Sequence, residues 1–277
     1  DLPGYCKSDK PATREDYSYN LQVDWMNAWL RANDLGGITF FGQDWGGLIG
    51  LRMIADNDER FERVVISNTG LPYNPDTPDD VVDEVEDFRA NKPTPTLPEM
   101  MQALSGSARA QAIAFAYWQK FCWETEDLPA GFLLSMMTEQ RSKLAMAIDF
   151  AFYRLGLRKL SPVRTALAKA YDAPFPDNSY KMGPRAMPSQ VPTMKTSPSL
   201  AAQAKAWEFF SQYQKPFLCA FGDDDPVSKG GDLPFLDRVP GTAGQPHTTI
   251  KGGGHFVQED NPKELCQVIA AFIRANS

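Results

Sequence analysis

The sequence is poor in the residues that most often hold metals or form cross-links. Of its 277 residues only two are histidine, His247 and His255, and four are cysteine: Cys6, Cys122, Cys219 and Cys266. The cysteines lie far apart, with no CxxC pair and no histidine at metal-ligand spacing, which argues against a zinc or dithiol site. Cys219 and Cys266 sit inside apolar runs, where a buried, reduced thiol is expected, and a reducing, cytoplasmic location follows as the expectation. No run of about 18 apolar residues exists, so no membrane-spanning segment is expected. Charge of one sign is never concentrated. The 28 Lys and Arg against 35 Asp and Glu give a net charge of −7 with no basic block, and a nucleic-acid partner would call for a basic face. The chain opens Asp1-Leu2-Pro3-Gly4, without a methionine or a signal-like apolar stretch, as a processed chain or a piece of a longer one would.

What is present is an interrupted alternation of strands and helices. Leu21, Trp25, Trp29 and Leu30 recur at helical spacing within 17–34, and Ile38-Thr39-Phe40-Phe41 then reads as a buried parallel strand. Residues 46–55 have helical character, and Val64-Val65-Ile66 is a second buried strand. From Leu71 to about Pro192 the strand signals vanish, and helical segments rich in Met, Ala and aromatics alternate with Pro-rich stretches such as 91–98. Alternation then returns with a helix over 199–213, strands at 217–221 and 248–250, and a helix over 262–275. This predicts an α/β fold, a mostly parallel sheet with flanking helices, whose core comprises 1–70 and 193–277 and whose helical insertion, a cap, comprises 71–192.

Three strand ends carry the chemistry. Gly42-Gln43-Asp44-Trp45-Gly46-Gly47 lies at a strand–turn–helix junction and has the spacing of a nucleophile elbow, with Asp where serine is usual. Glycines two before and two after Asp44 are expected because side chains would collide in so tight a turn. An Asp capping an ordinary helix is the structural alternative. Phe221-Gly222-Asp223-Asp224-Asp225-Pro226 offers carboxylates after another strand, and Gly252-Gly253-Gly254-His255 places a histidine on a glycine turn after a third. The order nucleophile, acid, histidine is that of α/β-hydrolases. Asp225 is preferred as the acid for its distance from Gly222, with Asp223 and Asp224 read as a solvated turn. His247 is expected on the surface. A carboxylate is already ionised at neutral pH, so Asp44 can attack an sp³ carbon directly and form an alkyl ester. Water activated by His255 would then open that ester, with Asp225 orienting the imidazole. Trp45 offers a backbone N–H and an indole N–H to a halide leaving group, though a packed aromatic at a helix start would look the same.

The elbow resembles that of haloalkane dehalogenases, where glutamine often precedes the nucleophile and tryptophan follows. Asp1-Leu2-Pro3-Gly4 with Ser8-Asp9-Lys10-Pro11, Asn68-Thr69-Gly70-Leu71-Pro72 and Tyr171-Asp172-Ala173-Pro174-Phe175-Pro176-Asp177 extend the likeness through most of the chain. The resemblance implies an α/β-hydrolase core with a cap, an Asp44–His255–Asp225 triad, and Trp45 as a halide-binding residue. It implies cleavage of a small apolar halogenated substrate to alcohol, halide and proton without cofactor or metal. Ser67-Asn68 stands where another subfamily carries a glutamate. The resemblance also implies a start near the end of the family's fourth strand, without the early strands and their His-Gly loop. No tryptophan lies in 145–170, where one subfamily has a second halide donor; Trp118, Trp123 or Tyr153 would have to substitute. The rival reading is an epoxide hydrolase with the same triad, drawing on Tyr117, Tyr153, Tyr171 and Tyr180. A haloacid dehalogenase would draw on Arg141, Arg154, Arg158 and Arg164. An inactive fragment of the same fold is the non-enzymatic alternative.

Overall fold

The computed structural model describes residues 1–138 and 142–277, apart from the side chains of Lys143 and Arg158. In chain order the longer elements are α1 Tyr19–Ala32, β1 Ile38–Gln43, α2 Trp45–Asp56, β2 Phe61–Ser67, α3 Asp79–Asn91, α4 Leu97–Gln102, α5 Gln111–Glu124, α6 Ala130–Thr138 and α7 Lys143–Arg154. They continue with α8 Ala166–Asp172, α9 Met182–Ala186, α10 Leu200–Phe210, β3 Phe217–Gly222, α11 Leu233–Arg238, β4 Thr248–Ile250, α12 Val257–Asp260 and α13 Pro262–Ala275. Two compact units result, one of residues 1–22 and 72–200, the other of 23–71 and 201–277.

The second unit holds a four-stranded parallel sheet in the order β1-β2-β3-β4. Its inner strands are near-continuous apolar runs because both faces are covered, as parallel sheets require. Val64, Val65, Ile66, Phe217, Leu218 and Ala220 have no exposed surface. Alternate residues point to opposite faces. Val65, Leu218, Ala220 and Ile250 pack with Leu265 and Phe272 of α13 on one side. Phe217 meets the rings of Phe210, Tyr213 and Phe235 on the other. α13 is started by Asn261, whose side chain accepts from the Glu264 N–H, with Pro262 at its first position. The strand expected to be buried at 38–41 lies instead at one end of the strand order, and Phe41 is 37% exposed. On one face Phe40 fills the space that a side chain at Gly50 of α2 would need.

The first unit is helical. Val81, Val82 and Val85 of α3 bury against Ala112, Ile113 and Ala116 of α5, while Leu97 and Met100 of α4 pack with Phe121, Phe132 and Leu133. Thr96 and Glu99 form a capping box at the start of α4. Residues 1–22, expected with the sheet, cluster here because specific contacts hold them. The Arg14 guanidinium donates to the Trp123 carbonyl and lies 5.0 Å from that ring's centre. Gly183 approaches the same segment so closely that a Cβ on it would lie 3.1 Å from the Gly4 carbonyl oxygen and 3.3 Å from the Tyr17 ring. Residues 139–141, in the middle of the stretch expected to be a cap, lie outside the described residues. Among the described residues no helix is long and apolar enough to cross a membrane.

All four cysteines are free thiols. Cys122 and Cys219 are buried, but Cys266, expected inside the core, is exposed. Leu265 and Phe272 carry the buried face of α13, and Cys266 follows Leu265 onto the outer side.

Candidate active site

Because β1, β2, β3 and β4 run parallel, their carboxyl ends share one edge of the sheet, and the segments leaving them meet there. Asp44 follows β1 in the single position between strand and α2, with φ 47° and ψ −128°. That left-handed backbone is strained for a residue with a side chain, and it is maintained from outside. The Asp44 N–H donates to the Asn68 carbonyl at 3.1 Å, and the Thr69 hydroxyl donates to the Asp44 carbonyl at 2.7 Å. The glycine requirement differs from expectation. A Cβ on Gly42 would stand 2.8 Å from the Gly47 Cα, and one on Gly47 would run into the Thr69 side chain. One on Gly46 would meet nothing within 4 Å. The close approach after the elbow therefore belongs to Gly47, the residue facing β2's end, and Gly46 points away.

His255 sits between two carboxylates. Its Nδ1 lies 3.1 Å from Asp225 Oδ1, and its Nε2 lies 3.2 Å from Asp44 Oδ1. Side-chain exposure is 6% for His255, 1% for Asp225 and 43% for Asp44. Burial pulls the imidazole towards its neutral form, but the hydrogen bonds and charges of Asp225 and Asp44 outweigh it and raise its pKa from 6.5 to about 9. For Asp225 burial works upward, and His255, the Ser228 hydroxyl and the Val227 N–H overcome it, holding the carboxyl below its usual range. The ring is thus biased towards its protonated form between the two acids, with Asp225 buried and hydrogen-bonded and Asp44 reaching solvent.

Asp223 and Asp224 are exposed, and Asp223 accepts the Gly252 N–H at 2.8 Å. His247, expected on the surface, is half-buried and engaged on both ring nitrogens: Nδ1 accepts the Cys219 N–H at 3.1 Å, and Nε2 lies 2.9 Å from the Thr242 carbonyl. It completes backbone pairing beside β3. Trp45 is the first residue of α2 and is partly buried, at a helix end whose N–H groups favour negative charge. Trp123 packs under Arg14, and Tyr117 stacks on Phe88 at 4.3 Å. Tyr153 stacks on Phe132 at 6.2 Å. Arg164 is paired with Asp172 at 2.6 Å. Arg141 and the Arg158 side chain lie outside the described residues.

Sequence reasoning gave no role at the site to three polar residues beside the trio. Asn68, read in the sequence as part of the family likeness and as a sign that no carboxylate follows β2, is fully buried and donates to the carbonyls of Gly254 and His255. Gln43 donates to the same His255 carbonyl at 2.9 Å. Asp260 accepts the Gly254 N–H at 2.8 Å. The visible signal was an Asn-Thr pair directly after a buried strand, at the sheet edge where the other chemistry gathers.

A parallel sheet with helices, a strained carboxylate after one strand and a histidine–aspartate pair from two others define an α/β hydrolase. Residues 1–113 match the family described as alpha/beta hydrolase fold. A haloalkane dehalogenase of Psychrobacter cryohalolentis K5 is 38% identical over 276 residues, 100% of this chain and 73% of that protein. Another, from Mycolicibacterium paratuberculosis K-10, is 36% identical over 275 residues, 99% of this chain and 73% of its own length. The chain belongs to the haloalkane dehalogenase family. The fold is also that of the tetrameric haloalkane dehalogenase DpaA from Paraglaciecola agarilytica NO2, with a TM-score of 0.65, 22% identity, and 99% of this chain and 72% of that one covered.

Proposed function

We propose that the chain hydrolyses the carbon–halogen bond of small apolar haloalkanes through an ester of Asp44. The observation that carries this reading is the His255 ring held 3.2 Å from Asp44 and 3.1 Å from Asp225. In the first step an Asp44 oxygen attacks the carbon bearing the halogen. A C–O bond forms, the C–X bond breaks, and the electron pair leaves with the halide. Trp45 stabilises that halide through its N–H groups. The carboxylate has now become a neutral ester, so one of the two charges that kept His255 protonated is gone. Burial then weighs more heavily, and the imidazolium releases its proton to solvent. The neutral imidazole takes a proton from water as that water attacks the ester carbonyl. Collapse returns the Asp44 carboxylate, the alcohol and the imidazolium, with Asp225 holding the ring and balancing its charge throughout. The sum is haloalkane plus water to alcohol, halide and one proton.

The stretch 71–192, whose helices carry Met100, Phe115, Trp118, Met136 and Phe152, is assigned as the cap. The epoxide reading is not favoured, since the relatives are haloalkane dehalogenases and Tyr117 and Tyr153 stack on neighbouring rings. Bromide release from 1-bromobutane tests the proposal. Release by the wild type that disappears in Asp44→Asn is the expected result. Release undiminished in that variant, or none from a folded wild type, overturns it.

A further inference from the structure

We propose that Asn68 is a positioning residue for His255: its carboxamide, aided by Gln43, fixes the histidine loop against the nucleophile elbow and so sets the rate of ester hydrolysis. The inference deepens the proposed hydrolase reading and rests on it. The loop that carries His255 begins Gly252-Gly253-Gly254, and glycines impose almost no conformation of their own. The position of the loop, from which Asp225 then orients the ring, must therefore come from bonds made by the loop backbone.

Asn68 makes the central ones. Its side chain has one acceptor and two donor hydrogens, and all find partners. Oδ1 accepts the Gly222 N–H at 2.8 Å, at the end of the strand that leads to Asp225. Nδ2 donates to the Gly254 carbonyl at 2.5 Å and to the His255 carbonyl at 3.1 Å. This pattern leaves no ambiguity in which way the amide points. The main-chain carbonyl of the same residue accepts the Asp44 N–H at 3.1 Å. One residue thus bonds the backbones of nucleophile, acid strand and histidine loop.

Two further features mark the position as built. Asn68 has φ 42°, a region that asparagine tolerates better than most side chains, and it is fully buried. The His255 carbonyl receives a second amide donor, Gln43 Nε2 at 2.9 Å, from the residue directly before the nucleophile. Two carboxamides from two different strand ends therefore converge on one carbonyl of the loop. A carboxylate at 68 could accept from Gly222 but could not donate to either carbonyl.

Water attack on the ester demands more of the histidine than halide displacement does, because only the former transfers a proton to the ring. A loosened loop should therefore slow hydrolysis more than alkylation. Displacement of a catalytic group by about an ångström costs on the order of 10²-fold in rate.

Two variants separate positioning from simple destabilisation. Asn68→Gly deletes the carboxamide and accepts the positive φ, and Gln43→Leu removes the second donor from a partly exposed site. The first readout is NMR of protein labelled with ¹⁵N-histidine, in which His255 is identified by its loss in His255→Gln. Its imidazole titration should fall by about one unit in Asn68→Gly as the ring loses its fixed distance to both carboxylates. The second readout is rapid-mixing bromide release from 1-bromobutane. A burst retained at full amplitude, followed by turnover lowered on the order of 10²-fold, is expected for Asn68→Gly, with a smaller loss in the same direction for Gln43→Leu. An unchanged His255 titration with unchanged turnover in both variants overturns the proposal. If Asn68→Gly does not fold, Gln43→Leu alone decides by the same two readouts. Absence of bromide release from the wild type would instead overturn the hydrolase reading, and the titration, which needs no turnover, would still judge Asn68.

Discussion

His255 should make the stability of this protein fall as pH rises through the range where most proteins change little. The imidazole is 6% exposed and its pKa stands at about 9 in the folded chain against 6.5 for an unperturbed histidine. A group whose pKa is raised by folding binds its proton more tightly in the native state. Its stabilisation is complete below pH 6.5, declines as pH passes from 6.5 to about 9, and is gone above. At 1.36 kcal/mol per unit the window corresponds to about 3 kcal/mol, a large share of a typical total. Asp225, 1% exposed, supplies most of it, because Asp44 is 43% exposed and its share is reduced by solvent screening. Urea unfolding at several pH values, for wild type and His255→Gln in parallel, isolates the effect, since the two proteins differ only at residue 255. The stability difference between the two proteins should shrink by about 3 kcal/mol from the acid to the alkaline end of that window. Asp44→Asn should keep the larger part of the decline. Parallel curves for wild type and His255→Gln would refute the ion-paired resting state.

Asp225→Asn presents an amide to a site where His255, the Val227 N–H, the Ser228 N–H and the Ser228 hydroxyl all converge on two oxygens. At least one donor then faces an NH₂ group, at a cost of about 1–3 kcal/mol in stability. Ester hydrolysis should slow by about 10²–10⁴-fold, read as a bromide burst followed by near-arrest; turnover close to wild type would contradict the role of Asp225. Gly47→Ala drives a methyl into the Thr69 side chain and should destabilise by about 1–3 kcal/mol, whereas Gly46→Ala, with open space around it, should be close to neutral. Thermal or urea unfolding of the two variants checks the contrast, and equal losses would overturn this account of the elbow.

Much of the fold was legible because parallel strands covered on both faces leave unmistakable apolar runs. β3 was read from Phe217–Phe221 to within one residue of its end, and β2 from Val64–Ile66, which caught its buried half but missed its first three residues, Phe61 to Arg63. The juxtaposition of Asp44, Asp225 and His255 was legible because each follows a strand of one parallel sheet, which forces them to a common edge. Their neighbours were not, because a carboxamide such as Asn68 has no spacing rule; its importance lies in three hydrogen bonds to backbone atoms some 150 to 190 positions away. The same limit hid His247, whose ring serves backbone groups at 219 and 242. Gly46 and Gly47 look interchangeable in sequence, and only the position of Thr69 distinguishes them. Residues 1–22 gave no sign of grouping with 72–200, since Arg14 and Trp123 are 109 residues apart.

The central claim is the ester on Asp44, and trapping it is the most direct test. His255→Gln keeps the nucleophile and removes the base, so exposure to 1-bromobutane should release a single equivalent of bromide and stop. Mass spectrometry of the protein should then find one butyl group added, and peptide mapping should place it on Asp44, with nothing added in Asp44→Asn. An unmodified protein that has released bromide, or a butyl group carried by any other residue, would contradict the account.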